Sequence, residues 1–361
     1  MKHAILSASG AHRWMKCTPS ARLEQDFKDE QSPYAKEGTK AHQLAEQWLQ
    51  YHLGERSDPP QGEPEMTDYV EVYVNAVLER ITPGATVLLE QRLDFSPWVP
   101  EGFGTGDAVI IADGRLEIVD LKYGKGVPVS AEENPQLRLY ALGAINDFDW
   151  LYDFDTVRMT IVQPRLDNIS SEEMTVDELW QWGESIKPLA MRAFIGEGDF
   201  IPGEHCRFCK ARYTCRARAE ANLELARLDF REPETLTVEE IAEVLKQAED
   251  LQRWVRDVKE YALNQAYRHG VKFPGWKVVE GRSVRKYTDE EAVARRLQEE
   301  GHDPYKKVLL TITELEKQLG RKRVGEVIGD LIEKPSGRPA LVPETDKRPE
   351  ILTAAAEDFK N

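Results

Sequence analysis

Residues 106–126 read GDAVIIADGRLEIVDLKYGKG, and this stretch decides how the chain is read. Asp113-Gly114 lies between two apolar-rich runs, the strongest short-range signal for a two-residue β-hairpin. The register that such a loop imposes sets Asp107 opposite Asp120. Directly opposed side chains sit about 4.5–5.5 Å apart, and like charges placed there repel. Alternation along the strand puts Lys122 on the side of Asp120 and turns Leu121 the other way, into a core. The face that carries the two acids also carries Val109, Ile111, Leu116 and Ile118, all apolar, so the carboxylates end a buried face. Gly124-Lys125-Gly126 follows as a flexible basic loop suited to close backbone approach to a phosphate.

Two carboxylates held this close call for a divalent cation. The residues themselves therefore suggest that Asp107, Asp120 and the Leu121 carbonyl hold Mg²⁺ or Mn²⁺. Lys122 is expected to orient a water or stabilise developing negative charge. Such a set is suited to phosphodiester cleavage.

The chain has 361 residues, 41% of them apolar, enough for two or three domains with real cores. No apolar run approaches the roughly 18–20 residues that span a bilayer. The start, MKHAILSASGAHRW, lacks a long apolar segment followed by a small-residue cleavage site. The expectation is a soluble cytoplasmic protein with no membrane partner. Four cysteines in such a chain suggest metal ligation over disulfides. A net charge of −16 argues against a broadly basic nucleic-acid coat, yet leaves room for a local basic groove.

Periodicity predicts helices over Glu37–Leu53 and Asp68–Arg80, a strand over Thr86–Phe95, and a helix opened by Asn134-Pro135. A strand over Thr156–Gln163 and a helix over Thr175–Gly196 complete an α/β core spanning residues 35–200. An N-terminal segment, 1–34, carries Cys17, and residues 201–232 carry the remaining cysteines. The last part, 233–361, reads as a mainly helical module: a long helix over Val238–His269, shorter ones over Glu290–Glu300 and Ile312–Gly320, and a basic hairpin over Trp276–Tyr287. Its tail is Pro-rich and extended.

His42 flanks the apolar stripe of the first core helix, and Gln136 and Tyr140 share a face four residues apart. In order, His42, Gly106-Asp107, Asp120-Leu121-Lys122 and Gln136 to Tyr140 resemble the RecB-like branch of the PD-(D/E)xK nuclease superfamily, over residues 35–145. The resemblance implies that family's core, a central mixed sheet flanked by helices. It also implies that His42 joins the aspartates on the metal, and that Gln136 and Tyr140 contact a DNA strand near the scissile phosphate. Glu37 and Glu90 are weaker candidates, each as readable as a plain surface acid.

Cys206, Cys209 and Cys215 follow the pattern C-x2-C-x5-C, among Arg207, Lys210, Arg212, Arg216 and Arg218. With Cys17 they make four thiolates, which fit either zinc or an iron–sulfur cluster. One cysteine before the core and three after it resembles the iron–sulfur nucleases of AddB type and of CRISPR adaptation. That likeness implies a 4Fe–4S cluster, with zinc as the alternative, acting as a staple between distant parts of the chain. Lys125, Arg207, Lys210 and Arg212 are candidate DNA contacts.

Stretches such as AHRWMKCTPSARLE, VPEGFGTGD and DLKYGKGVPVSAEENPQL resemble a phage and prophage family of unknown function. This implies a bacterial host cell and a partner such as a phage single-strand-binding or annealing protein. The leading expectation is a metal-dependent DNA exonuclease acting on ends during recombination or replication. The rivals are a non-catalytic DNA-binding or assembly factor retaining the fold, and a zinc-stabilised adaptor using Arg282, Arg285 and Lys286.

Overall fold

The hairpin forms in the expected register, with Ala108 facing Val119, Val109 facing Ile118 and Ala112 facing Arg115. Gly114 takes φ +70°, the left-handed conformation that a two-residue loop requires and that glycine adopts without a Cβ clash. This computed structural model describes residues 4–27, 33–112, 114–226, 238–280, 288–300, 303, 305 and 309–333. Asp113, most of the expected basic hairpin with Arg282, Arg285 and Lys286, and the Pro-rich tail lie outside the described residues. The described part of that hairpin, Trp276–Glu280, contains no strand.

Around the hairpin a five-stranded mixed sheet is built from β1 (Thr86–Asp94), β2 (Phe103–Ala112), β3 (Arg115–Leu121), β4 (Thr156–Gln163) and β5 (Asn168–Thr175). Its spatial order follows the chain, and only the β3–β4 pair is parallel. Parallel neighbours need a crossover, supplied here by a helix over Pro135–Phe148. Strand β5 is absent from the sequence reading. Its sequence NISSEEMT alternates half-buried and exposed residues with few apolar side chains, so it carries no hydrophobic signature.

The helices in chain order are α1 (Ala11–Trp14), α2 (Ser20–Leu23), α3 (Pro33–His52), α4 (Pro64–Leu78), α5 (Pro135–Phe148), α6 (Val176–Ile195), α7 (Arg216–Ala226), α8 (Val238–His269), α9 (Glu290–Glu299), α10 (Ile312–Leu319) and α11 (Arg321–Ile328). Helices α3 and α4 begin at prolines, earlier than periodicity indicated. Proline at the first turn needs no N–H partner and has its φ preset. At the start of α5 the Asn134 side chain accepts from the amides of Gln136 and Leu137. Thr175 and Glu178 form a reciprocal capping box on α6.

Helices cover both faces of the sheet. On one side α3 and α4 pack Leu44, Leu49, Tyr73 and Val77 against Ile110, Val119 and Leu121. On the other, α5, α6 and the N-terminal segment pack Trp14, Leu137, Leu142 and Ile186 against Val109, Ile111, Leu116 and Ile118. Alternation along β2 and β3 therefore feeds two cores, as strand geometry dictates. Gly143 lets α5 lie close on β1, because a Cβ there would stand 3.0 Å from the Leu93 Cβ. Among the described residues no helix is long and apolar enough to cross a membrane.

Candidate metal and phosphate site

The ladder between β2 and β3 stops at Ala108–Val119, one pair short of the two aspartates. Beyond it the Asp107 carboxylate turns toward the end of β3, where its Oδ2 accepts the Leu121 amide at 2.7 Å. Its Oδ1 lies 3.1 Å from His42 Nδ1, on α3. Leu121 itself points into the α3–α4 core, as expected.

Asp120 is almost fully buried on the opposite side of β3 from Leu121. Its Oδ1 accepts from Gln136 Nε2 at 3.2 Å, and its Oδ2 lies 2.8 Å from Lys122 Nζ. Lys122 Nζ donates to Gln136 Oε1 at 3.0 Å, and Gln136 Nε2 also donates to the Tyr140 hydroxyl at 3.2 Å. Asp120, Lys122, Gln136 and Tyr140 are thus one connected network. Gly104 makes room for it, since a Cβ there would come within 2.6 Å of the Tyr140 ring.

The structure draws the weaker candidate Glu90 to His42 and Asp107. Donor atoms of His42, Glu90 and Asp107 all lie within 4.8 Å of one another, the only such trio among the described residues. Asp120, expected on the metal with the Leu121 carbonyl, lies outside this trio and contacts Lys122 and Gln136. Glu90 enters because its backbone, inside β1, takes φ +46°. A non-glycine residue there is strained, and such strain clusters at functional sites. The sequence offered only an acid in a strand, with no signal for that twist. These three residues, with Glu46, Tyr73 and Leu121, line a pocket of about 180 Å³.

The electrostatics follow from gathering acids in a half-buried place. Burial pushes the Glu90 carboxyl up to about 7, and the neighbouring Asp107 carboxylate pushes the same way. Burial works against a charged His42, yet the adjacent Asp107 carboxylate outweighs it and raises the imidazole to about 9. Burial raises Asp120 as well, against the pull of Lys122. Tyr140 is shifted upward by burial and by the Asp120 charge, so its hydroxyl stays protonated.

Lys125 is exposed on the loop after β3. Glu37 pairs with Arg165 at 3.0 Å and stays out of the trio.

All four cysteines line a second pocket, of about 360 Å³, together with Arg13, His205, Arg212 and Arg218. The chain segments that meet there are far apart in sequence. Lys210 donates its amide to Glu24 Oε1 at 2.7 Å, Glu24 pairs with Arg13 at 2.8 Å, and His12 packs edge-on against Phe208. No three cysteine sulphurs lie within 4.8 Å of one another. Burial raises the thiols of Cys17, Cys206 and Cys209, the last to about 12. Of the basic residues expected on DNA, Arg212 turns inward: it donates to the Cys209 carbonyl at 3.1 Å and lies 3.9 Å from Asp257. Arg207 is exposed, its guanidinium 5.5 Å from the Phe208 ring centre. Lys210 is half-buried.

A family model described as "Protein of unknown function (DUF2800)" matches residues 3–349. Among solved structures, the chain is similar to one titled "Crystal structure of SSO0001", at 16% identity and a TM-score of 0.35, covering 60% of this chain and 88% of that one.

Proposed function

The chain belongs to the DUF2800 family, and from its site we propose that it is a metal-dependent DNA nuclease of the RecB-like PD-(D/E)xK type, an exonuclease acting on DNA ends. One observation carries the reading. Lys122 Nζ lies between Asp120 Oδ2 (2.8 Å) and Gln136 Oε1 (3.0 Å), while Asp107 beside it carries His42 and approaches Glu90. An ordinary hairpin has no reason to gather three acids, Asp120 among them almost fully buried, around one ammonium and one imidazole.

The donor set suits a hard divalent cation such as Mg²⁺ or Mn²⁺: two carboxylates and an imidazole within reach of one point, and the buried Asp120 carboxylate nearby. His42, Glu90 and Asp107 would hold the ion, with Asp120 completing the shell. When bound, the cation polarises a phosphoryl oxygen and acidifies a water. Lys122 supplies a fixed positive charge for the oxyanion that develops at phosphorus. Gln136 holds both Lys122 and Asp120 in place. The Tyr140 hydroxyl, protonated throughout, can donate to a phosphate oxygen at the N-terminal end of α5.

The cysteine pocket suits a 4Fe–4S cluster. Buried thiols with raised pKa values need a cationic partner to ionise. No three of their sulphurs gather within 4.8 Å of one another, whereas a tetrahedral zinc with Zn–S bonds of about 2.3 Å draws its sulphurs to about 3.8 Å. Such a cluster would tie the segment holding Cys17 to the one holding Cys206, Cys209 and Cys215. Phage recombination, beside a single-strand-binding or annealing protein, is the setting that fits this activity.

The test uses end-labelled linear DNA and matching circular DNA with Mn²⁺. The wild type is expected to shorten the linear substrate from its ends and leave the circle intact. Asp120→Ala is expected to leave both substrates uncut. An Asp120→Ala protein that cuts at the wild-type rate would overturn the proposal.

A further inference from the structure

Arg218 is wholly buried on α7, just past Cys215, and lines the cysteine pocket. Its Nη1 donates to Asp257 Oδ2 at 2.7 Å and to the Arg212 carbonyl at 3.1 Å. Its Nη2 lies 3.8 Å from Asp250 Oδ1, too far for a hydrogen bond. Nε and Nη2 have no acceptor. A guanidinium stays charged in a protein and presents five donors in a rigid fork, so a buried one with idle N–H groups lacks part of its complement.

Arg218 touches α8 and also lines the cysteine pocket. Asp250 and Asp257 both belong to α8. On the pocket side stand four sulphurs, whose assembly into an iron–sulfur cluster carries net negative charge and offers sulphur acceptors. Helix α8 also packs along α7. Among its described side chains none is buried, and its contacts here include the Tyr213–Tyr261 stack, 6.0 Å between ring centres, and Arg212–Asp257 at 3.9 Å.

We infer, resting on the cluster reading above, that Arg218 couples occupancy of the cysteine pocket to the docking of α8. Filling the pocket gives the idle N–H groups their acceptors and fixes the fork that grips Asp250 and Asp257. Emptying it leaves a buried cation held from one side only, and α8 loosens. Coupling of this kind is reciprocal, so a docked α8 also retains the cluster. Arg218 acts here as a positioning residue, distant from the phosphate site.

The experiment uses the full chain isolated anaerobically, with iron and acid-labile sulfide measured and hydrogen exchange followed over residues 238–269 before and after stripping by an iron chelator. Stripping is expected to speed exchange in the middle of α8 about fivefold or more, within the usual span of coupling factors, while the amides of β2 and β3 stay protected. Asp257→Asn, which touches no cysteine, is expected to loosen α8 in the loaded protein and to release iron to the chelator about fivefold faster. Unchanged α8 exchange after measured loss of iron would overturn the coupling and leave the cluster reading intact. Protein that carries no iron and takes none up from iron and sulfide would overturn both. If zinc occupies the pocket, the occupant is revised, and α8 exchange after zinc removal decides the coupling in the same way.

Discussion

Strand β3 carries two buried carboxylates, and the fold treats them in opposite ways. Glu117, 1% exposed, meets the Arg80 guanidinium at 2.9 Å and accepts from the Thr160 hydroxyl at 3.2 Å, which is itself paired with Ser171. Asp120, 2% exposed, shares its surroundings with Asp107 and Glu90, and the cationic candidates are Lys122 and His42. Three acids against one ammonium and one imidazole leave negative charge unbalanced, whereas at Glu117 one acid meets one guanidinium. The lesson is that burial of an acid does not mark function. A deficit of positive charge around it does.

The sharpest way to break this contrast is to neutralise each acid in turn. Asp107→Asn and Asp120→Asn are expected to reduce DNA cleavage to background while the thermal midpoint holds or rises, because each removes repulsion among like charges. Glu117→Gln is expected to do the reverse. It strands the Arg80 charge, costs about 3–5 kcal/mol in denaturant unfolding, and leaves cleavage per folded molecule unchanged. If both substitutions destabilise equally and spare activity, the distinction between the two acids fails.

A smaller effect separates the roles inside the site. Lys122→Met is expected to lower kcat about 100- to 1,000-fold with little change in Mn²⁺ affinity, read by titrating activity against metal. A loss that excess Mn²⁺ repairs would place Lys122 in metal retention instead. Smallest is a pH effect on metal binding. His42 holds its proton up to about 9 and Glu90 up to about 7 in the metal-free protein. A cation must displace these protons, so its affinity rises with pH. Mn²⁺ is therefore expected to raise the thermal midpoint more at about pH 8 than at about pH 6. A shift of equal size at both would mean that the ion binds elsewhere.

Much of the site was legible because its parts are close in sequence or follow from one turn. Asp113-Gly114 fixed the register, alternation separated Lys122 from Leu121, and Asn134-Pro135 located the start of α5 and with it Gln136 and Tyr140. Glu90 was legible only as a weak candidate, on a par with Glu37. Its contribution depends on a left-handed residue within β1, a conformation that no composition or period announces. The edge strand β5 escaped for a related reason, because a half-exposed strand need not be apolar. Arg212 read as a DNA contact, since a run of arginines looks alike whether it faces solvent or, as here, turns back on the Cys209 carbonyl and Asp257.

By itself the sequence determined what local chemistry can determine: the hairpin and its register, the two faces of β3, the cap of α5, and the pairing of acids with a lysine. Tertiary packing alone decided which distant groups meet. It brought His42 from α3 and Glu90 from β1 to Asp107, and it carried Cys17 across nearly two hundred residues to the pocket of Cys206, Cys209 and Cys215. The physical reason is range. Turn conformation, strand alternation and helix capping are set by neighbours a few residues away, whereas contact between remote segments is settled only when both sheet faces are buried at once.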